Sequence, residues 1–228
     1  MSHRKKIRAH YEPRIQADRE SYDILDWADR PSQLARFEVL AECVELDGRS
    51  LLDVGCGLGD LYDYLAGRGV RVDYTGVDIV EAMVAEARRR RPNARFVWGD
   101  VFSDAPAVLD AQGRLAEADH SHLNPLAGER FDVVFCSGVF NLNLGNNEGF
   151  LGQALGRLFE LARTHVVFNL LHHRTPTRYA HCVYYDPDQV AGLLSGFPCR
   201  VRIVDHYLHN DFTVVCEVEE GTQGTNRT

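Results

Sequence analysis

From residue 49 to residue 219, short apolar runs alternate with stretches of helical periodicity. Leu51-Leu-Asp-Val54 is an apolar run of strand length. Residues 71–77, 95–101, 131–136 and 165–171 repeat the pattern. Between them, apolar positions fall at helical spacing, as at Val80, Met83, Val84 and Ala87. Helices are predicted over 149–162 and 187–194 as well. Residues 201–207 and 212–218 read as two strands joined by Leu208-His-Asn-Asp211, a hairpin signal. The total is seven strands. Their alternation with helices predicts an α/β fold built on a doubly wound sheet. Ahead of the first strand, Leu34, Phe37, Leu40, Ala41 and Val44 define an amphipathic helix after Pro31, with Ser32 as its expected cap. The chain thus divides into an N-terminal helical segment (1–48), an α/β domain (49–219) and a polar tail (220–228) expected to be disordered.

The first strand runs into Gly55-Cys-Gly-Leu-Gly59, and a helix follows. Glycine suits a backbone that must adopt positive φ or lie bare against a ligand. A strand, a glycine turn and a helix N-terminus make a nucleotide-sized site at the carboxyl edge of a parallel sheet. The third glycine comes one residue earlier than in the dinucleotide fingerprint G-x-G-x-x-G, and Asp53 stands two before the first. Asp78, about twenty residues on, is placed to accept both hydroxyls of a ribose. The third strand closes on Gly99-Asp100, and the fourth on Cys136-Ser137-Gly138.

These four segments, in order over residues 50–142, resemble the class I S-adenosylmethionine-dependent methyltransferases. The resemblance implies a Rossmann-like sheet of order 3-2-1-4-5-7-6 with the seventh strand antiparallel, and S-adenosylmethionine as cofactor. Carried onto this chain, it implies a cofactor site made of Asp53, Gly55, Cys56, Gly57, Asp78, Ile79, Asp100, Val101, Cys136 and Ser137. Asp100 would meet the adenine amino group, the next backbone N–H the ring, and Cys136 and Ser137 the methionine part. The resemblance also implies that the N-terminal segment serves as a lid. Gln33 and Arg36 on the predicted helix are placed to reach the cofactor carboxylate, which a guanidinium pairs bidentately.

Composition narrows the acceptor. The 228 residues carry a net charge of −8. A nucleic-acid enzyme usually shows a broad basic face, and the Asn/Asp-Pro-Pro-Tyr motif of amino-methylating nucleic-acid enzymes is missing. The run Arg88–Arg91 falls at a helix end, where cations complement the dipole. The basic N-terminus reads as a frayed arm. No apolar stretch is long enough to span a bilayer. Six cysteines, none in C-x-x-C, fit reduced thiols and a cytoplasmic setting. Cys56 and Cys136 read as small apolar fillers lining the site. Asp119-His-Ser-His122, in the long connection 103–130, is too weak a pattern for a metal, and none is expected.

These limits leave a small-molecule acceptor, with neither nucleic acid nor membrane as partner. Asn141, past the fourth strand, binds through its amide but is no base. Histidine suits proton removal, and His173, His181 and His209 are the candidates. Tyr11, Tyr22, Phe140, Asn141, Tyr184 and Tyr185 are the expected substrate wall. Two readings compete with methyl transfer: a non-catalytic cofactor-binding relative acting as a partner or scaffold subunit, and a nicotinamide dehydrogenase.

Overall fold

The computed structural model describes residues 2–16, 18–104 and 123–219. The first strand, β1 (Ser50–Val54), lies inside a seven-stranded sheet, third from one edge. With β2 (Asp73–Asp78), β3 (Arg95–Trp98), β4 (Phe131–Cys136), β5 (Ala162–Leu171), β6 (Cys199–Val204) and β7 (Asp211–Val218) the order is 3-2-1-4-5-7-6. Strands β1 to β5 pair in parallel, and β7 runs antiparallel to both β5 and β6. The expected Rossmann-like fold is the one observed.

Both faces of the central strands are buried, which explains their continuous apolar runs. Alternate residues serve opposite layers. Leu51, Val133 and Phe135 pack with α3 (Arg30–Cys43), α4 (Asp60–Gly67) and α5 (Glu81–Arg90). Leu52, Val134 and Cys136 pack instead with α6 (Asn147–Leu161) and α7 (Pro187–Leu194). Cys136 and Phe140 are therefore core residues of the second layer, and Cys56 belongs to the first.

The N-terminal segment is helical as expected, and only its basic terminus departs from expectation. It is no frayed arm: α1 (His3–Tyr11) is a helix, and α2 (Ser21–Ile24) follows a short 3-10 turn over Glu12–Arg14. Three long-range contacts hold α1 down. Arg4 Nε donates to Asp100 Oδ2 at 2.7 Å, Lys6 Nζ to the Leu144 carbonyl at 2.6 Å, and the His3 ring meets Phe150 edge-on. The α3 cap is Asp29, whose Oδ1 accepts from the Ser32 N–H; Ser32 is the capped residue. Each arginine of the 88–91 run is engaged. Arg88 donates to the Phe96 carbonyl, Arg89 and Arg90 to Glu86, and buried Arg91 to Leu58, Asp60 and Asp63. The connection carrying His120 and His122, like the tail 220–228, lies outside the described residues.

Candidate active site

The glycine turn is built by backbone bonding across β1 and β2. Gly55 N–H and Cys56 N–H both donate to the Val77 carbonyl, at 2.8 and 3.1 Å. Gly55 has φ +72°, and a Cβ there would fall 2.3 Å from Val139 Cγ2. Gly57, at φ +53°, would collide with Leu25 Cδ2 at 2.5 Å. Any larger residue would thus strain the turn and expel what packs on it.

Asp78 closes β2 with its carboxylate turned back on the turn. Oδ2 accepts from Gly57 N–H at 2.9 Å and Oδ1 from Val80 N–H at 2.8 Å. Burial pushes its carboxyl upward, while these N–H groups favour the ionised form. A carboxylate has about four lone-pair sites, so both oxygens keep capacity for a ligand. Asp53 lies one layer deeper. Its Oδ2 accepts from Tyr74 Oη at 2.7 Å, and burial lifts its pKa to about 7.

That shift sets a pH dependence of stability. The folded protein keeps the Asp53 proton to about pH 7, whereas an unfolded chain releases it near ~4. Stability from this group is full below about pH 4 and is lost as pH rises to about 7, by at most ~1.4 kcal/mol per unit. Asp53→Asn should flatten that slope, checked by urea unfolding between pH 4 and 8. An unchanged slope would show that Asp53 ionises freely.

A cavity of about 430 Å³ opens at the carboxyl edge of β1, β2 and β4, within the usual range of small-molecule sites, about 300–1,000 Å³. Gly55, Asp78, Ile79, Asp100, Val101 and Ser137 line it, as do Tyr11, Arg36, Asn141, His181 and Tyr184. Two buried polar atoms there, Ser137 Oγ and Asn141 Oδ1, have no hydrogen-bond partner. The bare glycine backbone, a carboxylate with spare acceptor capacity and two unsatisfied oxygens fit a polar nucleoside-type ligand.

Other expected residues stand elsewhere. Cys56 and Cys136 are packed in the core, and burial pushes both thiols up. Gly57 is covered by Leu25 and reaches the site only through Asp78. Gln33 donates to Asp60 at 2.8 Å, beneath the α4 terminus. Arg36 borders the cavity, but its guanidinium is spent on Asp211, at 2.6 and 3.0 Å, beneath the Trp27 ring. Phe140 is fully buried, and Tyr185 is buried with its hydroxyl on the Phe140 carbonyl. Tyr22 is on α2, outside the cavity. His173 stacks on His172 away from it, and His209 is exposed on the hairpin. Of the three candidate histidines only His181 faces the cavity.

The sequence reading missed His3, Arg4, His10 and Asp26, which also line it beside Trp27, one of the aromatics expected in the N-terminal lid. Bridges between Leu142 and Cys182, and between His172 and Tyr185, draw the loops after β4 and β5 together and deliver His181. No group of three or more metal-binding side chains occurs among the described residues.

Residues 52–154 match a family model described as a methyltransferase domain. A trans-aconitate 2-methyltransferase of Delftia acidovorans is 37 % identical over 107 residues, covering 43 % of this chain and 39 % of that protein. One from Variovorax paradoxus is 38 % identical over 128 residues, covering 54 % and 47 %. The chain thus matches less than half the length of these relatives. Among solved structures, the magnesium protoporphyrin IX methyltransferase of Synechocystis PCC 6803 superposes with a TM-score of 0.62 at 16 % identity, covering 96 % of this chain and 98 % of that one.

The sheet order and the glycine-turn site define a Rossmann-like methyltransferase domain. The matched domain, these relatives and the shared fold support a place in the class I S-adenosylmethionine-dependent methyltransferase family.

Proposed function

We propose that this protein transfers a methyl group from S-adenosylmethionine to a small-molecule acceptor. The observation that carries the reading is one cavity with two differently built parts. Its floor is the glycine turn with Asp78 and Asp100. Its other walls are α1, residues 25–28 and the loops after β4 and β5. When bound, the sulfonium cofactor supplies an activated methyl carbon. Asp78 would hold the ribose, and the β3–loop pair Asp100 and Val101 the adenine. Ser137, at the end of β4, would face the methionine part. The chain's main contribution is then orientation and exclusion of water, worth ~7–11 kcal/mol of barrier when geometry is good.

The acceptor side is aromatic, with Tyr11, Trp27, Phe150, Tyr179 and Tyr184, and it carries a few polar groups. That suits a small, partly apolar molecule. Burial and the nearby Asp26 and Asp78 carboxylates keep the Tyr11 hydroxyl protonated far above neutrality, so it orients but does not ionise. Residues 1–48 act in this reading as the wall and lid of the acceptor chamber. No helix of the described residues is long and apolar enough to cross a membrane, and all six thiols are free, as a reducing cytoplasm would keep them.

Calorimetry tests the cofactor directly. S-adenosylhomocysteine should bind and NAD should not; tight NAD binding would replace this reading with a dehydrogenase. Labelled S-adenosylmethionine incubated with a cell metabolite extract should yield S-adenosylhomocysteine and a labelled product. Binding without any turnover would favour the partner-subunit reading.

A further inference from the structure

Asp26 is the sole non-glycine residue at positive φ among the described residues, at +63°. Such backbone is unfavourable for a residue with a Cβ and persists only where its surroundings enforce it. Here its carboxylate gathers three cations or cation-forming groups. Arg14 Nη2 donates to Oδ1 at 2.6 Å. His10 Nε2 lies 2.9 Å and His181 Nε2 3.4 Å from Oδ2. The two imidazoles stack at 5.5 Å, one from α1 and one from the loop after β5. Both rings line the cavity, and the cluster is unlike a solvated surface pair: the His10 and Asp26 side chains are only 20 % and 26 % exposed.

A carboxylate only accepts, so the bonded Nε2 of His10 carries a hydrogen, and in the neutral ring Nδ1 is the atom with the lone pair. His181 has the longer contact and is 45 % exposed. It buttresses the His10 ring by stacking. The cavity's charge balance adds a second, independent constraint. Its two arginines already hold carboxylates, Arg4 with Asp100 and Arg36 with Asp211. An anionic acceptor would have to compete with these carboxylates for both guanidiniums.

We propose that His10, positioned by Asp26, is the base that takes the proton from the acceptor, and that the acceptor is a neutral hydroxyl or N–H compound rather than a carboxylate. This deepens the methyl-transfer reading and rests on it. The acceptor O–H or N–H bond breaks, with its proton passing to His10 Nδ1. The acceptor lone pair forms the new bond to the methyl carbon, and the carbon–sulfur electron pair returns to sulfur as a thioether. The positive charge of the sulfonium reappears on the imidazolium. A carboxylate acceptor, already ionised at neutral pH, would need no such base.

The test combines spectroscopy with turnover. In nitrogen-15-labelled protein, long-range proton–nitrogen correlation should show neutral His10 as the Nε2–H tautomer. Asp26→Asn, which tolerates the left-handed backbone, should convert it to a tautomer mixture. A mixture already present in the unaltered protein would overturn the positioning role. With labelled S-adenosylmethionine and metabolite extract, His10→Asn should reduce turnover by roughly 10²-fold or more, while S-adenosylhomocysteine affinity changes by less than about twofold. Full turnover in His10→Asn would reject His10 as base and leave the methyl-transfer reading intact. The labelled product should survive mild alkali. Label released as methanol marks a methyl ester and rejects the neutral acceptor. No turnover by the unaltered protein, with S-adenosylhomocysteine still bound, would instead remove the methyl-transfer reading and the base with it.

Discussion

Replacing Asp211 with alanine is expected to destabilise the fold by about 3–5 kcal/mol, a large fraction of the ~5–15 kcal/mol that holds a domain together. The pair it forms with Arg36 is almost fully enclosed, with the side chains 0 % and 3 % exposed. Two guanidinium nitrogens donate to one carboxylate oxygen, Asn169 Nδ2 contacts both oxygens at 3.2 Å, and Tyr207 adds its hydroxyl. Deleting the acid strands a buried cation that water cannot reach. The double variant Arg36→Met/Asp211→Leu should lose far less, because apolar groups of similar volume carry no desolvation debt. Urea unfolding of both variants checks the argument. A single-variant loss below about 1 kcal/mol would mean that water already reaches the pair. The network also reaches the site. Arg36 stacks under Trp27 at 4.2 Å, and Trp27 occupies the space beside Gly138 that a Cβ would need. Asp211→Ala should therefore loosen the cavity wall as well as the fold.

Local patterns made the sheet legible. Leu51-Leu-Asp-Val54 and its counterparts are buried on both sides, so their apolar runs announced strands directly. The doubly wound order followed from the resemblance, not from the pattern. Asp78 and Asp100 were legible for a related reason: each ends a strand beside the glycine turn, so its position along the chain implies its position in space. The residues whose surroundings the sequence did not reveal are those whose partners lie far off along the chain. Arg36 was read as a ligand for a carboxylate, and it is one, but the carboxylate belongs to Asp211, 175 residues away. Arg4 meets Asp100 across 96 residues, which turns an apparent frayed arm into a cavity wall. Cys136 was placed by its strand-end position, but strand alternation turns it to the face opposite Phe135, against α6, and so into the core. The histidines show the same limit. His173 and His209 lie near the carboxyl edge of the sheet but do not line the cavity, whereas His10 enters through α1, for which no apolar periodicity gave warning.

Asp78→Ala is expected to weaken S-adenosylhomocysteine binding by at least about tenfold, equivalent to ~1.4 kcal/mol. Each oxygen already takes one backbone N–H, from Gly57 and Val80, and still has room for a second donor. Two ribose hydroxyls would fill that capacity, and a hydrogen bond to a charged group is worth ~1.5–3 kcal/mol. The tenfold figure is a lower bound, since both bonds are lost together. The same substitution leaves the Gly57 and Val80 amides unpaired, so part of the loss will come from a loosened glycine turn. Asp78→Asn separates the two effects. It keeps an oxygen for one amide and removes the charge, and its affinity should fall between those of the alanine variant and the unaltered protein. Circular dichroism must first show both variants folded. Calorimetric titration then decides: an alanine variant that binds as tightly as the unaltered protein would take Asp78 out of the cofactor site and leave it as a brace for the turn alone.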